Sequence, residues 1–81
     1  MKLPRDLSGV ELAGALRVLG YGIDRRSGSH IRLTTSRGGE HHVTIPAHKP
    51  LKIGTLNAVL RDVAEHHGVS REELLAQLFG V

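Results

Sequence analysis

Between Ser29 and Ile45 the side chains alternate in character, and this alternation limits the fold more than any other feature. Ile31 and Leu33 share one parity, as do Val43 and Ile45. The other parity carries His30, Arg32 and Thr34, then His42 and Thr44. Successive side chains of a β-strand point to opposite faces. Two such strands, joined by Ser36-Arg37-Gly38-Gly39, make a sheet with one apolar face and one basic, histidine-bearing face. Tyr21 to Arg26 reads as a strand before them, with Tyr21 and Ile23 inward, Asp24 and Arg26 outward, and Ser27-Gly28 as a two-residue turn. The expected strands are therefore Tyr21–Arg26, Ser29–Thr35 and Glu40–Ile45, with Pro46 closing the last. Such a sheet needs helices over its apolar face and nowhere else.

Helical patterns flank the strands. Ser8 and Glu11 form an S-x-x-E capping box, and Leu7 can staple onto Leu12. Leu12, Leu16 and Leu19 follow at helical spacing, and Gly20 supplies the C-terminal cap. After a loop from Ala47 to Gly54, Thr55 reads as the cap of a second helix. Its inner face is Leu56, Val59, Leu60, Val63 and Ala64, and Gly68 ends it. Ser70 and Glu73 make a second capping box, with Val69 and Leu74 as its staple. A short last helix carries Leu74, Leu75, Leu78 and Phe79. The order is α-β-β-β-α plus a terminal helix: an α+β fold with a three-stranded antiparallel sheet and helices on one face.

At 81 residues the chain is read as one domain, residues 1–81. Leu, Ile, Val and Phe number 24, too many for a disordered chain. The absence of cysteine excludes disulfides, thiolate catalysis and cysteine-bound zinc. Neither a membrane-length apolar run nor a signal-peptide core at Met1–Asp6 is visible, so a cytoplasmic location is expected. The net charge of +3 is unevenly spread. Residues 24–52 hold six Lys or Arg against Asp24 and Glu40, together with His30, His41, His42 and His48. A basic, histidine-rich centre points to a polyanion, with nucleic acid the first choice.

Three ordered segments then narrow the reading. They are Gly28-Ser29-His30, Thr44-Ile45-Pro46-Ala47-His48 and Leu51-Lys52-Ile53-Gly54-Thr55-Leu56. Following an amphipathic helix, they resemble the HicA family of toxins from toxin–antitoxin systems, over roughly residues 8 to 64. The resemblance implies a double-stranded-RNA-binding-domain-like (dsRBD-like) fold. It also implies an mRNA interferase that cleaves messenger RNA and arrests translation, with His30 as the catalytic residue. A cognate HicB-like antitoxin would bind the toxin and cover the His30 face. The chain departs from the commoner pattern at Ile31-Arg32, where many members carry another histidine and an aromatic, and in its longer stretch after Glu65.

The chemistry can be argued beside the resemblance. Metal-free RNA cleavage needs a base for the ribose 2′-OH, an acid for the departing 5′-oxygen, and positive charge at the phosphate. Histidine suits the proton-transfer roles. By spacing alone a single strand histidine is only a solvated side chain, and it is the family pattern that singles out His30. His42 is the expected second group, on the same face in the neighbouring strand at an undetermined separation. Gly28 would let an RNA backbone approach, and Ser29 would steady the turn. Arg26, Arg32, Lys49 and Lys52 are the expected phosphate contacts, setting affinity rather than sequence choice. No metal site or cofactor is expected: His41 and His42 point to opposite faces, and His66 and His67 lie at a helix C-terminus. Two other readings remain: a non-catalytic RNA-binding module of this fold, and a protein-interaction domain whose partner covers the basic sheet.

Overall fold

The computed structural model describes residues 6–80, so Met1–Arg5 and the reading placed on them lie outside the described residues. The order is α1 (Gly9–Ala15), a 3-10 turn (Leu16–Leu19), β1 (Gly22–Ser27), β2 (His30–Thr35), β3 (His41–Pro46), α2 (Ile53–His67) and α3 (Arg71–Phe79). The strands form one antiparallel sheet in the order β1-β2-β3. This is the expected α+β, dsRBD-like α-β-β-β-α arrangement with an added terminal helix.

The helices begin where local chemistry directs. Ser8 accepts from the Glu11 amide at 3.0 Å, and Glu11 accepts from the Ser8 amide at 3.0 Å. Ser70 and Glu73 repeat the reciprocal pair at α3. Gly20, Gly68 and Gly80 end their helices in the left-handed conformation. One expectation fails at α2, which starts at Ile53 with Lys52 as an extended N-cap, not at Thr55. The cause lies upstream. The Leu51 amide is bonded to the Leu7 carbonyl at 2.8 Å, and the Leu56 amide already reaches the Lys52 carbonyl at 3.0 Å. Thr55 therefore falls inside the first turn.

The apolar faces meet in a single core. Leu12 and Leu16 from the first helix, Ile31, Leu33 and Ile45 from the sheet, and Leu60, Leu74 and Leu75 from the later helices are fully buried. Thr35 is buried with them, and its hydroxyl donates to the Leu19 carbonyl at 3.0 Å. The first helix tightens to 3-10 over its last turn, where Leu16 and Leu19 remain buried.

Two details of the sheet differ from expectation and matter below. The first turn is Gly28-Ser29, because Ser27 pairs with His30; Gly28 adopts φ +57° there. The second is a bulge at Asp24: Ile23 pairs with Leu33, but Arg25 pairs with Arg32 and Arg26 with Ile31. An extra residue reverses the facing of everything beyond it. Arg25 thus joins the outer face, and Arg26 passes to the helix side. Ile23 keeps its inward facing yet is 58% exposed, because the helical layer lies over β2 and β3 and leaves β1 largely uncovered.

Candidate nucleic-acid interface

Strand register arranges the outer face in rows. The first holds Ser27, His30 and Pro46; the second Arg25, Arg32 and Thr44; the third Gly22, Thr34 and His42. Side chains two apart along a strand are separated by roughly 7 Å, and those directly across by about 5 Å. Arg32 therefore lies one row from His30, and His42 two rows away, about 13 Å along the strands. His30 and His42 share a face, as expected. The register does not bring them together on one phosphate.

The His30 end is built from three separate segments. The Ala47 amide donates to the Ser29 carbonyl at 2.6 Å, so the chain leaving β3 still runs beside the Gly28-Ser29 turn. The Gly9 amide then donates to the His48 carbonyl at 3.0 Å. This approach requires glycine at position 9, since a Cβ there would stand 1.9 Å from the Pro46 carbonyl oxygen. The result brings His48 and Lys49 to the same end of the sheet as His30, all three exposed. Among the described residues, His30 and His48 enter no side-chain hydrogen bond. Lys49 also acts on Glu11, whose carboxyl is held below its ordinary range first by the Ser8 hydrogen bonds and least by this charge.

The third row is chemically different. Thr34 donates to Asp24, and its hydroxyl is 2.6 Å from His42 Nδ1. His42 Nε2 lies 3.0 Å from Glu40, and Arg32 Nε lies 3.8 Å from Asp24. His42 is thus enclosed by carboxylates, a poor setting for an RNA phosphate. Of the expected phosphate contacts, Arg32 and Lys49 flank the His30 end, and Lys52 stands exposed at the start of α2. The expected outward facing of Arg26 is corrected: the bulge turns it to the helix side and puts Arg25 on the outer face. Sequence reading missed Arg25 because a bulge in a strand exposed on both faces leaves no break in an apolar pattern. Sequence reading also assigns no role to His48, although it closes the Thr44-Ile45-Pro46-Ala47-His48 segment.

The other three histidines form a separate cluster under the sheet. Tyr21, 2% exposed, bridges His41 Nδ1 at 2.7 Å and His67 Nε2 at 3.1 Å. His41 Nε2 lies 3.2 Å from Asp62, and His66 stacks on His41 with centroids 4.3 Å apart. His66 Nε2 donates to the carbonyls of Arg37 and Gly39. Donors and acceptors can be matched along this chain of side chains. His41 donates to the acceptor-only Asp62, Tyr21 donates to His41, and His67 donates to the Tyr21 oxygen. Burial first, and then the Asp62 charge, push the Tyr21 hydroxyl up to about 12. Burial, then His66, His41 and Arg37, lower the pKa of His67. Among the described residues no group of three or more His, Asp or Glu is placed to hold a metal ion.

A single helical layer under a three-stranded sheet, with a basic, histidine-bearing end on the open face, defines a small dsRBD-like α+β domain. Residues 9–64 match the family model described as the HicA toxin of bacterial toxin–antitoxin systems. The chain belongs to this family of toxins, whose members are paired with a cognate antitoxin. No curated protein and no solved structure matches it. Among the described residues no helix is long and apolar enough to cross a membrane.

Proposed function

We propose that this toxin is an endoribonuclease that cleaves mRNA and so arrests translation, with His30 as its catalytic residue. The observation that carries the reading is the open His30 end. An exposed imidazole, without a side-chain partner among the described residues, lies one row from Arg32 and Arg25, beside a turn whose Gly28 and Ser29 present little bulk.

In this reading RNA lies across the first two rows. Arg25, Arg32 and Lys49 draw in its phosphates, with Lys52 adding to the field. His30 takes the 2′-OH proton, the 2′-oxygen attacks phosphorus, and the 5′-oxygen leaves with a proton from a second group. The guanidiniums stabilise the charge gathering on the phosphate oxygens. The products are a 2′,3′-cyclic phosphate and a 5′-hydroxyl. His42 was the expected second group, but its distance and its carboxylate surroundings disfavour it. His48, at the same sheet end as His30, replaces it. The cognate antitoxin covers the His30 face and closes it to RNA.

The test is cleavage of a long mRNA in the presence of EDTA by wild type, His30→Ala, His48→Ala and His42→Ala, with the ends mapped. Cleavage by wild type leaving cyclic-phosphate ends, abolished in His30→Ala and retained in His42→Ala, supports the reading. RNA binding without cleavage by the folded, antitoxin-free wild type would make this a binding module. Loss in His42→Ala with full activity in His48→Ala would reverse the assignment of the second group.

A further inference from the structure

Among the described residues, strand β1 has β2 on one side and no strand on the other, and every one of its own residues is exposed. The other outer strand, β3, is packed by α2 and joined to it through His41 and Asp62. The free edge of β1 adjoins a groove of about 410 Å³ lined by Val10, Ala13, Gly14, Arg17, Gly22 and Ile23. Val10 and Ile23 are 51% and 58% exposed, and they are two of four large hydrophobics so exposed among the described residues. Gly14 and Gly22 leave the walls open, since a Cβ at either would meet nothing within 4 Å. An unpaired strand edge beside exposed apolar surface is a template for another strand.

Charge selects the occupant. Arg17 lines the groove, Arg26 stands on the helix side of β1, and Arg25 stands on the outer side. The one acid of β1, Asp24, is already engaged with Thr34 and Arg32. A second copy pairing through this edge would set these guanidiniums against their own kind. We propose that the β1 edge and the α1–β1 groove bind an extended acidic segment of another protein, added antiparallel or parallel as a fourth strand. Alternate residues of that segment are apolar and enter beside Val10 and Ile23. The intervening residues are Asp or Glu and face Arg25, with further acids at the ends reaching Arg17 and Arg26. Main-chain hydrogen bonds supply affinity, and the alternating pockets supply selectivity. The inference does not depend on ribonuclease activity, because neither His30 nor His48 takes part and Arg25 is the one residue the two surfaces share.

The probe is a blocked eight-residue peptide alternating Glu and Val, titrated into the isotope-labelled toxin with amide shifts followed by NMR. Saturable shifts at Gly22–Ser27 and along Val10–Arg17 are expected, with binding at least about tenfold weaker for Lys-Val and Glu-Ser peptides of equal length. The double variant Arg25→Glu, Arg26→Glu is expected to prefer the Lys-Val peptide. Ile23→Asp, at an exposed position, should keep a folded spectrum and lose binding. Shifts confined to the His30 end or the β3 edge would overturn the proposal. So would equal binding of acidic and basic peptides, absence of saturable binding, or a peptide-free dimer formed through β1.

Discussion

The molecule holds two groups of histidines whose surroundings are opposite. His30 and His48 stand in solvent at one end of the sheet, with no side-chain partner among the described residues. His41, His66 and His67 lie at the other end and beneath the sheet, each tied to Tyr21, Asp62 or a backbone carbonyl. A ring whose nitrogens are engaged has little freedom to exchange a proton with a ligand. An open ring beside guanidiniums has that freedom. The difference separates an end suited to chemistry from one suited to holding α2 on the sheet, although both contain the same residue type.

The sharpest way to break this comparison is to remove one ring from each group. His30→Ala is expected to lower RNA cleavage by at least about 10²-fold, the range for losing a proton-transfer group. Its stability should stay within about 0.5 kcal/mol, as for an exposed residue without partners. His41→Ala should do the reverse: cleavage per folded molecule persists while the denaturation midpoint falls. If His41→Ala abolished cleavage in a fully folded protein, the division into two groups would be wrong.

A structural break comes next in size. Gly9→Val places a Cβ where the Pro46 carbonyl oxygen stands, 1.9 Å away. α1 must then separate from the end of β3, costing about 1–3 kcal/mol as other forced insertions do. Because the same contact sets His48 and Lys49 beside His30, cleavage by the residual folded protein should fall as well. Urea unfolding and cleavage at a temperature where the variant stays folded measure the two effects separately.

Tyr21→Phe sharpens the comparison from the other side. It removes a hydroxyl that joins His41 and His67 and leaves their ring nitrogens facing a hydrocarbon. The expected loss is about 1–3 kcal/mol in urea, with cleavage unchanged. An unchanged midpoint would mean that the cluster adds nothing to stability.

What the sequence revealed and what it hid follow from the range of the interactions. Both capping boxes join residues three apart, so Ser8, Glu11, Ser70 and Glu73 were readable in place. Strands β2 and β3 were readable because one face is buried and the other is not. Strand β1 is exposed along its whole length, so its facing left no apolar record and the bulge at Asp24 passed unseen. That one insertion exchanged Arg26 for Arg25 on the outer face. The start of α2 was hidden for another reason, since it is set by Leu7, far away in sequence. The Tyr21 cluster joins residues 20 and 46 apart, and no local pattern announces it. At the candidate site, the shared outward facing of His30 and Arg32 was legible. The wide separation of His42 was not, because alternation fixes the face and leaves the register open.

The smallest expected effect is a pH dependence, and it separates the two groups without removing a ring from the open end. Folding lowers the pKa of His67 below its ordinary value of 6.5, through burial and then the neighbouring His66, His41 and Arg37. Between the folded value and 6.5 the unfolded chain holds more protons, so stability rises with pH in that window. The contribution is complete above about pH 6.5 and is lost as pH falls toward the folded value. One proton changes stability by at most about 1.4 kcal/mol per pH unit, and His67 should supply a fraction of that. Glu11 has the same sign but acts lower: its carboxyl lies below 4.5, so its contribution holds above that value and fades beneath it. Urea midpoints measured between pH 7.5 and about 5.5 therefore isolate the histidine step from the Glu11 step. His67→Gln retains a donor toward Tyr21 and cannot titrate, so its midpoint should vary less across that window. His30→Ala should leave the wild-type slope intact. A slope that vanished in His30→Ala and survived in His67→Gln would place the stability-linked proton at the open end of the sheet, against the division drawn between the two groups.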